Sequence, residues 1–252
     1  MAGQIFDIIM LNGRPASGKS EILDFLKKTP LEERIRRFHV GEFEEFDDFP
    51  ILWDAFEDDD IFEKHGKARL ISNPTFTYKG ETQPGYSFKD KFYWNFLIMK
   101  LCRNYAKKLA RKPDYHRTTT AIFEFARGSE HGGWRDAYPC LTDDVLKKAC
   151  TVYINVPWEE SLRKNRKRRK PGMEDSILFH SLEDLKMEML YKDSDWEEFT
   201  KKDPNCLSVR GFKVPYVVFE NMPDKTTDMP PALGPYLEET LGKLWKTKQG
   251  RS

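Results

Sequence analysis

"LNGRPASGKSEILDF", residues 11–25, decides how this chain is read. It is preceded by "QIFDIIML" (4–11), a β-favouring apolar run that stops at Asn12-Gly13, and the spacing of Ile22, Leu23, Phe25 and Leu26 behind it predicts a helix. Between the two, Gly13, Gly18, Lys19 and Ser20 fit G-x-x-x-x-G-K-[ST]. The order has a physical reason: glycines let successive backbone N–H groups turn inward around an anion, and the start of a helix adds the positive end of its dipole. Gly13, Arg14, Pro15, Ala16, Ser17, Gly18, Lys19, Ser20 and Glu21 are therefore the expected phosphate-binding loop, with Lys19 reaching the outer phosphates and Ser20 a metal ion.

The rest of the composition limits what surrounds such a loop. With 252 residues, 39% of them hydrophobic, the chain is long enough for one sizeable core and reads as a single domain. Its 42 Lys and Arg against 41 Asp and Glu leave a formal charge of +1, so no global field draws it to nucleic acid or membrane, and any basic function is local. The opening "MAGQIFDIIMLNG" lacks the features of a signal peptide, and no apolar run approaches the ~18 residues of a membrane span, which points to a soluble cytoplasmic protein. Cys102, Cys140, Cys150 and Cys206 show neither a CxxC pair nor zinc-like spacing and read as reduced thiols.

Outward from the loop, strands and helices alternate. Further strands are expected at 36–43 ("RRFHVGEF"), in "TTTAIFEFARG" (118–128), at 150–157 ("CTVYINVP") and at 214–221 ("VPYVVFEN"). Helices are expected in "KFYWNFLIMKLCRNYAKKLARK" (91–112), near "TDDVLKKA" with Thr142 or Asp143 as N-cap, in the charged "WEESLRKNRKRRK" (158–170), beyond Pro171-Gly172, and in "GPYLEETLGKLWKTK" (234–248). Residues 72–90, dense in Pro, Gly, Ser and Thr, read as a loop, and the tail "KTKQGRS" as disordered. This alternation predicts a three-layer α/β fold with a mostly parallel, five-stranded sheet, helices on both faces and a helical lid.

On Gly13, Gly18, Lys19 and Ser20 the chain resembles the P-loop NTPase superfamily, and on weaker features over residues 4–225 its branch of nucleoside, nucleotide and small-metabolite kinases. No N/T-K-x-D element, with which a GTPase reads guanine, follows a strand. The resemblance implies ATP and Mg2+ as cofactors, and a nucleotide and a small-molecule acceptor as partners. It also implies roles for "AIFEFARG": Glu124 at a strand's C-terminal end would either orient magnesium or take the acceptor's proton, and Arg127 in the loop beyond would hold an anion. In "VPWEESLRKNRKRRKPG", helical spacing gathers Arg163, Arg166, Lys167 and Lys170 on one face with Arg168 and Arg169 beside it. Such a helix (lid about 158–200) would close on phosphates through Arg166 and Arg169; alternatively it touches nucleic acid in a nucleotide-binding ATPase or regulatory module, or is a solvated face.

The acceptor belongs to the insertion at about 42–110. Glu42, Glu44, Glu45, Asp47 and Asp48 alternate there with Phe43, Phe46, Phe49 and Trp53, which suits a neutral or cationic hydroxylated acceptor, although Arg127, Arg135 and Lys89 leave an anionic one possible. Glu42, Glu44 and Asp47 are the acceptor-binding candidates, with Asp47 or Glu44 as base. After the last strand Asn221 and Pro223 stand where the resemblance places contacts to the adenine ring.

Overall fold

The first strand, β1 (Ile8–Gly13), buries every residue and alternates between two cores: Ile8 and Met10 face one side, Ile9 and Leu11 the other. A strand with two apolar faces belongs in the middle of a covered parallel sheet, and that is where it lies. The computed structural model describes residues 4–168 and 182–250. After β1 come α1 (Lys19–Lys28), α2 (Leu31–Phe38), β2 (Glu42–Asp47) and α3 (Asp48–Lys64), then β3 (Ser72–Tyr78), β4 (Glu81–Phe88), α4 (Phe92–Arg111) and β5 (Thr119–Phe125). The chain continues through α5 (Gly133–Ala137), α6 (Asp143–Lys148), β6 (Ala149–Asn155), α7 (Trp158–Arg168), α8 (Asp184–Tyr191) and α9 (Trp196–Thr200), and ends with β7 (Cys206–Val209), β8 (Phe212–Glu220) and α10 (Leu233–Gln249).

Six strands, not five, form the main sheet among the described residues, in the order β2-β5-β1-β6-β8-β7. All neighbours are parallel except β7, which runs antiparallel to β8. One face is covered by α4, α5, α6 and α9, the other by α1, α2 and α10, which makes three layers. At ten residues α1 is shorter than the ~12–15 an isolated helix needs, so the burial of Ile22, Leu23 and Leu26, at about 1.5–3 kcal/mol each, is what holds it.

Four expectations are corrected. Residues 36–38 close the helix α2, whose first turn holds Glu32 and Glu33 and whose last holds Arg36 and Arg37, as the helix dipole favours. The strand starts only after Gly41, where a Cβ would meet the Thr118 carbonyl at 2.3 Å. Residues 72–88, read as a loop, are the hairpin β3–β4, because Lys79 and Gly80 turn the chain with φ of 50° and 83°. The short edge strand β7 escaped notice for want of length. Finally, α10 carries the tail's helix to Gln249, driven by Leu233, Leu237, Leu241 and Leu244 on its buried stripe.

The parallel order brings the carboxyl ends of β2, β5 and β1 side by side. Asp47 pairs in register with Glu124, and Glu124 with Leu11, so the loop that leaves β1 opens beside both acids. In open α/β sheets this edge is where ligands bind. Among the described residues no helix is long and apolar enough to cross a membrane.

Candidate active site

The loop from Gly13 to Ser20 is shaped by its own backbone. Gly18 has φ 111°, and a Cβ there would come within 2.5 Å of the Thr226 hydroxyl and 2.8 Å of Asn221 Nδ2, so no other residue fits without a shift. Ser17 Oγ is buried without a hydrogen-bond partner, so a polar atom faces into a loop that an anion or water would complete. Lys19, only 7% exposed, folds back on the loop: Nζ donates to the Arg14 carbonyl at 3.1 Å and to that of Gly13 at 3.5 Å, and lies 3.9 Å from Glu124 Oε1. Burial lowers the Lys19 pKa and raises that of Glu124, each opposed by the other's charge.

A cavity of about 670 Å³ opens over this loop and runs outward under the hairpin. Pro15, Ala16, Ser17, Lys19 and Ser20 line its inner end together with Asp47, Asp48 and Glu124. Asp47 ends β2 and caps α3, its carboxylate accepting from the Phe49 N–H at 3.0 Å. Burial, then Glu124 and then Asp48, push its pKa up to about 7. Asp48 is also raised by burial, but Arg127 at 2.7 Å opposes this. The outer end is a slot of rings: Phe56 stacks on Tyr86 at 4.9 Å, and Phe88 meets Trp94 edge-on at 4.9 Å.

The structure brings together part of what the sequence suggested. Lys19, Ser20, Glu124, Asp47 and Arg127 share the cavity. Glu42 and Glu44 do not: neither lines it, Glu42 pairing instead with Arg34 of α2 at 3.3 Å and Glu44 with Lys108 of α4 at 3.2 Å. Glu45, on the cavity side with Asp47, pairs with Lys27 at 2.7 Å. Arg127, 3% exposed, is not a free anion fork, since its Nη groups donate to Asp48 and to the carbonyls of Ala126 and Trp94. Arg166 is exposed and pairs with Asp184 at 2.8 Å, while Arg168 lines the cavity 3.5 Å from Glu21. Arg169 lies outside the described residues.

Two residues brace the loop instead of facing the cavity. Arg14 donates to the carbonyls of Val156, Tyr191 and Lys192, which fastens the loop to the end of α8. Asn221, fully buried, donates through Nδ2 to the Ser17 carbonyl at 2.7 Å and to Thr226 Oγ1 at 2.9 Å, and accepts from the Lys225 N–H. Its role is therefore to hold the loop's backbone, where a contact to adenine was expected. Asn221→Ala is expected to destabilise the fold by about 2–3 kcal/mol in urea unfolding, because it strands buried polar partners on both sides; a change under about 0.5 kcal/mol would contradict the bracing role.

Sequence reasoning missed Lys186 and the hairpin rings, and named Asp48 and Arg168 without singling them out. A period-two reading of "EFEEFD" would have separated Glu45 and Asp47 from Glu42 and Glu44. The geometry can bind a polyphosphate at the inner end, hold a flat molecule at the outer end and offer a carboxylate of near-neutral pKa between them. No family model matches the chain, and no curated protein matches it.

Proposed function

We propose that this chain is a P-loop kinase, transferring the γ-phosphoryl group of MgATP to a hydroxyl of a small acceptor. The observation that carries this reading is that one cavity joins the glycine-shaped loop and Lys19 to Asp47, Glu124 and a ring-walled compartment. A hydrolase needs room for water alone; the outer compartment is far larger and mostly aromatic, as an organic acceptor requires.

Each residue then has a task. Lys19 and the loop N–H groups hold the outer phosphates, and Arg168 adds positive charge where the phosphoryl oxygens become more negative. Asp47 takes the proton as the acceptor oxygen bonds to the γ-phosphorus and the bond to the bridging oxygen breaks, releasing ADP. Arg127 holds Asp48 in place at 2.7 Å and opposes the upward push of burial on it. Asp47, whose pKa burial, Glu124 and Asp48 raise to about 7, is the carboxylate poised to exchange a proton near neutral pH. The residues fit magnesium arriving with the nucleotide: Ser20 and Glu124 face the cavity, whereas among the described residues no cluster of three or more His, Cys, Asp or Glu is arranged to hold a metal ion alone. Magnesium would be held by Ser20 and Glu124 and would neutralise phosphate charge.

The basic helix supports a nucleic-acid reading less well. Arg163 pairs with Glu160 at 2.7 Å, Arg166 with Asp184, and the buried Lys164 with Asp224 at 2.8 Å, so these charges answer carboxylates of the protein itself. The test is transfer of label from γ-labelled MgATP into pooled nucleosides, sugars, polyols and hydroxylated aromatic acids. We expect a labelled organic product. Label released only as inorganic phosphate would replace the kinase reading with that of an ATPase.

A further inference from the structure

We infer that the acceptor is a flat unsaturated ring that carries an anionic group as well as its hydroxyl, and that Lys186 is the residue selecting the anion. The inference rests on the kinase reading above and adds the class of acceptor. Among the described residues six cations line the cavity: Lys19, Lys27, Lys91, Arg127, Arg168 and Lys186. Five have a carboxylate at hand: Glu124 at 3.9 Å, Glu45 at 2.7 Å, Glu130 at 2.9 Å, Asp48 at 2.7 Å and Glu21 at 3.5 Å, in that order. Of these six, Lys186 alone has no carboxylate of the described residues within 4.0 Å.

Lys186 sits on α8 against the hairpin. Its Nζ donates to the Tyr86 carbonyl and lies 5.6 Å from the centre of the Phe76 ring. An ammonium has three donors, and a carbonyl with a ring face compensates its charge only in part. Burial brings its pKa down to about 8, against a weaker upward pull from Glu183, so the charge is held at a cost that a bound anion would offset. The slot beside it is walled by Phe56, Tyr86, Phe88 and Trp94, which admits a planar body. A neutral or cationic acceptor, the expectation from the acidic stretch alone, would leave Lys186 unmatched. The cavity-lining acids of that stretch already pair with Lys27 and Arg127, or serve as base.

The test uses para-(hydroxymethyl)benzoate and its neutral carboxamide. Binding is followed through quenching of the cavity tryptophans Trp53 and Trp94, with no nucleotide present. The carboxylate should bind wild type roughly tenfold tighter than the amide, as a charge-assisted hydrogen bond warrants. Lys186→Met should erase the preference and Lys186→Arg should keep most of it. In turnover, Lys186→Met should raise KM for the carboxylate and leave kcat near wild type, with circular dichroism confirming that the variant is folded. Equal binding of both probes to wild type, no binding of either, or a preference that survives in Lys186→Met would overturn the inference. Label transfer is scored separately, so transfer without carboxylate preference removes this inference and keeps the kinase, while preference without transfer removes the kinase reading itself.

Discussion

Lys19→Ala is expected to reduce phosphoryl transfer by about a thousandfold while the protein stays folded. The expected size follows from position. Lys19 is nearly buried, and among the described residues its polar contacts are two loop carbonyls and Glu124 at 3.9 Å, all of which a phosphate would replace or share. Under the proposed transfer, removing it takes away charge that would stabilise the transition state, and it leaves Glu124 without this partner. The fold survives because Glu124 is already biased by burial toward its neutral form and can take up a proton instead of staying ionised. Transfer rates and urea unfolding measured on the same preparation decide the matter. Activity within a few fold of wild type would take the loop out of the chemistry.

The second large effect is expected for Asp47→Asn, with kcat lowered by about 10²- to 10⁴-fold, the usual contribution of a positioned general base. Glu44→Gln is the matched control, because that side chain pairs with Lys108 on the opposite side of the sheet and should leave turnover unchanged. In wild type, kcat/KM should fall tenfold per unit as pH drops below about 7, where Asp47 gains its proton, and this limb should be missing from what activity the Asn variant retains. Stability runs the opposite way. The folded carboxyl holds its proton up to about 7 whereas a free aspartate releases it near 3.8, so the folded form loses stability as pH rises through that window. Asp47→Asn should therefore melt higher than wild type at pH 8, by the equivalent of about 1–2 kcal/mol after allowance for solvent around a half-buried group. A variant less stable than wild type at that pH would mean that Asp47 supports the fold instead of burdening it.

The sequence made the central sheet legible because burial on two faces leaves long apolar runs, and the glycine-shaped turn after β1 because its backbone admits few residues. Contacts between distant segments were not legible. Arg127 and Asp48 are 79 positions apart, and nothing local in "FARGS" or "FDDFP" announces that one neutralises the other. The basic helix shows the same limit. Periodicity groups Arg163, Arg166 and Lys167 on a face, but the rotation of that face about the helix axis is set by Ser161, Lys164 and Asn165 packing inward, and it turns Arg168 toward the cavity. Asn221 was located at the right end of its strand and given the wrong partner, since a side-chain amide reads alike whether it meets a base or a backbone carbonyl. The hairpin was lost to its own composition: Pro74 sits at a register irregularity and Gly85 has φ 124°, both of which read as loop until strand pairing is seen.

The three bonds from Arg14 have a thermodynamic consequence. Two of them join the loop's second residue to the carbonyls of Tyr191 and Lys192, at the end of the helix that also carries Lys186, and the third holds it to Val156 after β6. If the proposed function holds, a shift of that helix toward an occupant of the slot is passed through Arg14 to the loop backbone, and nucleotide and acceptor are expected to bind with positive cooperativity. Reciprocity then applies: the factor by which acceptor tightens nucleotide equals the factor by which nucleotide tightens acceptor. Titrating each ligand with the other saturating should give one shared factor above unity, and Arg14→Met should bring it close to one; independent binding in the wild-type protein would show that the tie transmits nothing.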